Sequence, residues 1–591
     1  MRARREALSP LPVRWQLLGA LIAVLVLMAP MIFSGSTFGG DWPTHLWLVQ
    51  MQARNIEALG HPSLFVQSTL GAFEPWYAFY GGTLYSLAGA GAVLSGGHTL
   101  AVYILSWAMV MAMAYGGFLW LSRQAGLRGW SAHIPGLLLI SSAYYLTDLY
   151  ARGAWAETVA TSSIPLLVAA GLALLRAEAW RPGPVLAFVL AVVLFTGSHN
   201  ITLLYGTLFV VLLCLTATFA VGREALPPAR RVLGLVALGL LATGVNLWFL
   251  LPDVVFQGKT SISHSFANSP SLAGGTPPSL VLDPIRHSKV ENFPTLDMQV
   301  PTLALIWALA TLALCWRSLG AVWRRLTVAL IVTCLPFLAL LLDHSLWYDV
   351  PRILWSIQFP YRLLSYIDYC FAGVVMVAIV AIVGQRRGEL RRRATTALVL
   401  IGIVFAAVEG VQAINQEWSG PSSLHSRSEI FPGGSKLPGY WIRFVTYLQY
   451  QDVSLPVVNA TIPEIPGLTV YNGEGANVVP VPVTPTPKSG YGVSFTLAKS
   501  GTVTTNVISG PYLVAVHGAK FVGRTPYSEL IMSVKKNPNG PNRVTFSTAR
   551  SWPIVLGEWA TVLCVLALVT LLALLSLRWV RGRRSGALDG R

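Results

Sequence analysis

Charge is scarce in this 591-residue chain. Only 11% of its residues are Asp, Glu, Lys or Arg, while 54% are hydrophobic and the mean hydropathy is +0.58. A soluble globular protein carries about 25% charged residues, so that class is excluded. Acids are rarer than bases, 25 against 42, which leaves a net charge of +17. The excess lies in short loops between apolar runs. Bases so placed set topology and contact anionic lipid, and nucleic-acid binding is not expected. Cysteine is rare too: Cys214, Cys315, Cys334, Cys370 and Cys564 all fall in or beside apolar segments. That placement supports neither a disulfide framework nor a thiolate metal site. A phosphate-binding loop is also lacking, because the glycines of "YGGTLYSLAGAGAVLSGG" follow no strand and have no lysine after them.

What the chain does have is a series of apolar runs near the 20 residues that cross a bilayer. The N-terminus, "MRARREALSPLPVRWQLLGALIAVLVLMAPMIF", starts basic and continues into the first run without a small-residue cleavage site. It reads as an uncleaved first helix rather than a signal peptide. The segment "YAFYGGTLYSLAGAGAVLSGG" (77–97) is short and glycine-rich. If it lies in the outer interface instead of spanning, every basic loop falls on the cytoplasmic side. Those loops hold Arg123 and Arg128; Arg176 and Arg181; Arg223, Arg230 and Arg231; Arg317, Arg324 and Arg325; and the run "QRRGELRRR".

Spans are then expected at about 15–34, 99–121, 131–148, 157–176, 184–199, 202–221, 232–252, 299–317, 325–343, 365–384, 394–412 and 553–578. The expected fold is mainly α: a polytopic membrane core over 1–412 with a long first outer loop, 35–98, for about twelve transmembrane helices in all. Residues 413–552 read as an extracytoplasmic β-rich domain. Period-two runs such as "VSFTL", "TVTTNVI" and "RVTFST", separated by turn formers, suit a small antiparallel β-sandwich. A last helix and a basic cytoplasmic tail fill 553–591.

With that topology several polar groups emerge at one membrane face, where ionisable residues are costly and are functional candidates by default. "GGDWPTHLW" places Asp41 and His45 just past the first span. "YARGAWAE" places Arg152 and Glu157 at the next outer turn, "GSHN" places His199 and Asn200, and "QFPYRLL" places Arg362. Asp343 and His344 end another span. Each has a plainer explanation. Asp41 can cap a helix starting at Trp42, and His45 can be an interfacial side chain. Arg152 and Glu157 can pin two helix ends. His199 and Asn200 can satisfy a tight turn, and Arg362 can snorkel. The D-x-x-x-H spacing also fits a metal, but no third ligand is evident. Trp42, Trp76, Tyr77 and Tyr80 can stack on a sugar or form the interfacial aromatic belt.

These residues carry a resemblance. The first loop with its acid and the acid-bearing turn resemble the GT-C superfamily of membrane glycosyltransferases. More closely, "GGDWPTHLW", "YLTDLYARGAWAETVA", "SHN" and "FPYRLL", with an outer β-domain and a last span, resemble the bacterial membrane family labelled "6-pyruvoyl-tetrahydropterin synthase-related", itself similar to YfhO-like glycosyltransferases. The zinc-binding histidine pattern of soluble pterin enzymes is absent. The resemblance implies a protein of the bacterial inner membrane with its active site outside the cytoplasm. It implies a polyprenyl-phosphate-linked sugar as donor and a glycan or lipid acceptor in the cell envelope. Asp41 takes the role of the superfamily's first-loop catalytic base.

The chemistry assigns the remaining expectations. A guanidinium suits the leaving phosphate, with Arg152 and Arg362 as candidates and His199 as a further donor. Glu157, the second catalytic carboxylate expected, orients Arg152 or contacts sugar hydroxyls. His45, Asn200, Trp76 and Tyr80 complete the expected substrate-binding set. No cofactor is required; a divalent cation is compatible but not demanded. Two rivals are a flippase for lipid-linked sugar, favoured by Asp368, Glu409 and Glu558 just inside spans, and a non-catalytic envelope-polysaccharide assembly protein.

Overall fold

The computed structural model of the chain describes residues 13–33, 41–67, 73–74, 76–222, 226–257, 276, 278–283, 298–383, 470–472, 479–481, 483–485, 491–508, 514–524 and 529–588, with scattered helical positions between 397 and 411. The helices are α1 (Val13–Leu27), α2 (Ala29–Phe33), α3 (Trp42–Leu59), α4 (Trp76–Phe79), α5 (Gly82–Leu94), α6 (Thr99–Gln124), α7 (Ile134–Ile140), α8 (Ala143–Leu149), α9 (Trp155–Arg176), α10 (Pro182–Ser198), α11 (Asn200–Val221), α12 (Ala229–Gly244), α13 (Leu247–Phe256), α14 (Pro278–Val281), α15 (Thr302–Cys315), α16 (Ala321–Leu342), α17 (Leu364–Val383) and α18 (Trp552–Leu588).

Among the described residues, six helical runs are long and apolar enough to cross a bilayer: α6, α9, α11, α16, Pro360–Val383 and Trp552–Arg581. The pair α12–α13 adds a seventh if its two halves count as one span. Shorter apolar helices occupy Leu18–Leu27, Gly82–Leu94, Pro182–Ser198 and Thr302–Ser318. The uniform spans expected at 131–148 and 232–252 are instead broken. The first divides at Ser141–Ser142, where Ser142 accepts from the Tyr145 N–H and caps α8. The second bends by 80° between α12 and α13. Asn246 stands at that bend, its amide tied to Thr83, Thr196 and the Val193 carbonyl, so other helices satisfy what the break exposes. The expected first span is interrupted at Met28, between α1 and α2. Most of the expected span 394–412 lies outside the described residues, as do residues 413–469 of the expected β domain. Helix α5 has 13 residues, about 20 Å long, too short for a hydrocarbon core of about 30 Å.

Helix α9 lies between α6 and α10. A Cβ on Gly117 of α6 would sit 2.5 Å from the Leu166 nitrogen. The two backbones therefore touch, the close approach that small residues permit between membrane helices. Helix α17 is buried along almost its whole length. By contrast α18 exposes Leu556, Trp559, Leu563 and Leu566 and fastens only one side to the α12–α13 bend, where Thr561 accepts from the Trp248 N–H at 2.9 Å.

A two-stranded hairpin, β1 (Val66–Gln67) and β2 (Phe73–Glu74), belongs to the first loop. The remaining strands are β3 (Val470–Asn472), β4 (Val479–Val481), β5 (Val483–Pro485), β6 (Tyr491–Phe495), β7 (Gly501–Ile508), β8 (Val514–His517), β9 (Lys520–Arg524), β10 (Glu529–Val534) and β11 (Asn542–Thr548). They form two antiparallel sheets ordered β4-β3-β7-β10-β9 and β5-β6-β11-β8. Alternate residues Leu530, Met532 and Val534 of one sheet, with Val544 and Phe546 of the other, fill one core, as the period-two pattern predicts. That core continues into Leu64, Phe65 and Phe79 of the first loop and Phe249 and Leu250 of α13. The sandwich is therefore seated on the end of the helical body that carries the first loop.

Candidate active site

The turn between α8 and α9 organises the site. After α8 the Arg152 N–H returns to the Thr147 carbonyl (2.9 Å) and the Ala154 N–H to the Asp148 carbonyl (2.9 Å). Gly153 adopts φ +61°, a conformation glycine takes at little cost, and the chain reverses into α9. This fold-back leaves Arg152 between two acids. Its Nη1 donates to Asp148 and, at 3.1 Å, to the Tyr144 hydroxyl; its Nη2 donates to Glu157 Oε2 at 2.9 Å. The guanidinium also lies 5.4 Å from the Tyr361 ring centroid.

Arg362 comes from the other side. It follows a tight turn in which Gln358 has φ 66° and ψ −49°, and the Phe359 N–H donates to the Ile357 carbonyl at 2.8 Å. That is a γ-turn of the strained hand. Arg362 Nε lies 3.3 Å from the same Glu157 oxygen, so one carboxylate faces two guanidinium groups. Arg362 Nη1 is buried and has no hydrogen-bond partner among the described residues. An unmet charged donor at the end of a bundle is a ready anion contact.

Asp41 heads α3, with Pro43 in the first turn, but its carboxylate makes no capping bond. The Asp41 N–H donates to the Arg152 carbonyl at 2.7 Å, which locks the first loop onto the turn. Its side chain is exposed, yet burial is the largest influence on its pKa, raising it from 3.8. Both hold if the carboxyl faces a recess walled by protein rather than bulk solvent. Arg152 and Arg362 act against that rise and Glu157 adds to it, so all three lie within electrostatic reach.

The other expected residues separate into two groups. His45 is buried, shares Nδ1 with the Tyr85 hydroxyl, and has no partner at Nε2 among the described residues. Burial first, and Arg152 second, lower its pKa to about 3, so the ring is neutral. Tyr80 lies between them, its ring 6.1 Å from His45 and 5.3 Å from His199, with Trp76 against its edge. His199 Nδ1 contacts Thr202 Oγ1 at 2.8 Å and accepts from the Thr202 N–H at 3.2 Å, capping α11. Asn200 turns to structural work: its amide donates to the Phe79 carbonyl (2.7 Å) and to Asp253 (2.6 Å). Trp42 is core, edge-on to Tyr103, and Tyr77 donates to the Leu48 carbonyl. Asp343 caps its own turn by accepting from Ser345.

Sequence reading missed Asp148, Tyr144, Tyr361, Tyr85 and Asp253. Asp148 was discoverable, four residues before Arg152 in a polar break. Tyr85 and Asp253 are single polar groups in apolar runs, without a local signal. Among the described residues no group of three or more His, Cys, Asp or Glu side chains is placed to hold a metal ion.

No protein-family model and no curated protein matches the sequence. Among solved structures the chain is similar to the mycobacterial arabinofuranosyltransferase AftD, with 17% identity and a TM-score of 0.48 over 74% of this chain and 29% of that one. It is also similar to the Archaeoglobus fulgidus oligosaccharyltransferase AglB in complex with an inhibitory peptide and a dolichol-phosphate: 11% identity, TM-score 0.40, over 76% of this chain and 62% of the other. This chain thus spans under a third of the first protein's length and about three fifths of the second's. Neither likeness assigns an activity or a site residue here.

Proposed function

We propose that this protein is a membrane glycosyltransferase that moves a sugar from a polyprenyl-phosphate donor to an acceptor hydroxyl outside the cytoplasm. The observation that carries the reading is Asp41: an accessible carboxylate without a hydrogen bond or ion pair among the described residues, fixed by its backbone to the Arg152 turn. In the reaction, Asp41 takes the proton of the acceptor hydroxyl as its oxygen bonds the anomeric carbon. The bond from that carbon to the lipid phosphate breaks, and the phosphate leaves with the electron pair, inverting the centre. Arg362, with its unmet Nη1, receives the phosphate. Glu157 holds both guanidinium groups in place, and Arg152, already bonded to Asp148, Glu157 and Tyr144, is a positioning residue. His45, neutral with a free Nε2, and Tyr80 face the sugar. Motif likeness to the "6-pyruvoyl-tetrahydropterin synthase-related" family, an inner-membrane location and cytoplasmic termini belong to the same reading.

The test incubates purified protein with a panel of radiolabelled polyprenyl-phosphate sugars and follows release of label from lipid. Release in the wild type and none in Asp41→Asn supports the reading; no release from any donor counts against it. A flippase keeps one specific support: Ser142, at the α7–α8 break, donates to buried Asp368 at 2.8 Å, a broken-helix arrangement of the kind transporters use. Movement of lipid-linked sugar between leaflets of proteoliposomes, without a new glycosidic bond, decides for it.

A further inference from the structure

The β-sandwich is strongly basic. Residues 470–550 hold eight Lys or Arg (Lys488, Lys499, Lys520, Arg524, Lys535, Lys536, Arg543 and Arg550) against two acids, Glu474 and Glu529. Register gathers five of the bases at one end. Strand β11 begins at Asn542, opposite Phe495 of β6, while Gly501 of β7 pairs with Val534 of β10 and Lys520 of β9 with Ser533. The turns 496–500, 518–519 and 535–541 therefore crowd together, carrying Lys499, Lys520, Lys535 and Lys536 beside Arg543. All five are exposed. Glu529 pairs with Ile508, at the far end of its strand.

The cations stand on fixed backbone. The Lys536 N–H donates to Ser500 Oγ at 2.8 Å, joining two of the turns. Buried Asn542 donates to the Lys535 carbonyl, and Asn537 donates to the Pro541 carbonyl at 3.1 Å. A Cβ on Gly518 would meet the Arg543 carbonyl oxygen, so the third turn lies directly on β11.

This end points away from the membrane helix. Strand β11 runs from Asn542 to Thr548, and α18 starts four residues later at Trp552. The cationic end is thus about 20 Å beyond the membrane-proximal end, outside the reach of headgroup charge, which decays within about 8 Å at physiological salt. Its neighbours are small hydrogen-bonding groups: Ser494, Ser500, Asn537 and Asn539. Among the sandwich residues whose side chains are described, Val522 is the one large apolar group exposed, whereas a protein interface needs an apolar or aromatic centre.

We infer that the membrane-distal end of the sandwich is a docking site for an anionic polysaccharide, whose carboxylate, phosphate or sulfate groups meet the lysines while its hydroxyls meet the Ser and Asn side chains. This inference is independent of the transferase reading and of any activity at Asp41. Full-length protein in nanodiscs of zwitterionic lipid is titrated with polygalacturonate, with neutral dextran and with poly-glutamate. Polygalacturonate should bind most tightly, weaken as salt is raised, and lose about tenfold or more in affinity in the Lys499→Gln/Lys535→Gln/Lys536→Gln variant; the corresponding triple Lys→Arg variant should keep the binding. Equal binding of dextran, tighter binding of poly-glutamate, or unchanged affinity in the glutamine variant with its melting temperature preserved overturns the proposal.

Discussion

The Asp41 N–H donates to the Arg152 carbonyl at 2.7 Å, across more than a hundred residues of chain. This one bond joins the first loop to the turn before α9. It brings the exposed carboxylate of Asp41 within electrostatic reach of the paired groups Arg152, Glu157 and Arg362.

Asp41→Asn keeps that backbone bond and the side-chain volume while removing the base. Sugar transfer is expected to fall by about 100-fold or more, with the melting temperature within 2 °C or so of wild type, since the carboxylate caps nothing. Transfer assays and thermal melts on one preparation check this. Near-normal turnover removes Asp41 from the mechanism.

The two arginines are expected to part company. Arg152→Gln leaves buried Asp148 and Glu157 without their shared cation, at a cost of about 3–5 kcal/mol in stability. Arg362→Gln removes an unmet donor, so the chief loss is donor affinity. Melting temperature and donor KM, measured for both variants, separate the roles. Equal destabilisation makes Arg362 a second structural pin.

His45 gives the fold a pH dependence. Its folded-state pKa, about 3, is depressed from 6.5, so the unfolded chain binds the proton first as pH falls. The stability it contributes is full above pH 6.5 and is lost on acidification towards 3, with about 2 kcal/mol gone at pH 5. His45→Phe should flatten the melting temperature's slope between pH 6.5 and 5. An unchanged slope places the effect elsewhere.

Asp41 acts in the opposite sense on activity. Its raised pKa moves the acid limb of the transfer rate above the ordinary carboxylate value of 3.8. Arg362→Gln removes an opposing positive charge and should move that limb higher still. A pH profile of kcat/KM on both proteins reads it, and a limb that stays in place argues against proximity of the two groups.

Gln358 holds its γ-turn at φ 66°, where a side chain is strained. Gln358→Gly should relieve roughly 1 kcal/mol of that strain, visible as a higher unfolding midpoint in denaturant. A lower midpoint means that the Gln358 side chain contributes more than its backbone costs.

Membrane class, the shortness of the glycine-rich segment 77–97 and the β-rich region were legible because each rests on local periodicity. Apolar length, loop charge and period-two alternation are read without knowing neighbours. The breaks at Ser141–Ser142 and Asn246 were not, since apolar runs continue through both and the compensation comes from distant groups such as Thr83 and Thr196. The clustering of Asp41, His45, Arg152, Glu157, His199 and Arg362 followed from topology alone. Their roles did not.

The sequence by itself determined that the polar motifs stand at the ends of apolar helices, because an ion is costly within lipid. Only the tertiary structure decided which ion meets which. It gave Arg152 to Asp148 and Glu157, sent Asn200 to Asp253, and left the Asp41 carboxylate and Arg362 Nη1 unclaimed among the described residues. Pairing depends on distances of a few ångströms between helices far apart in the chain, and no local pattern encodes them.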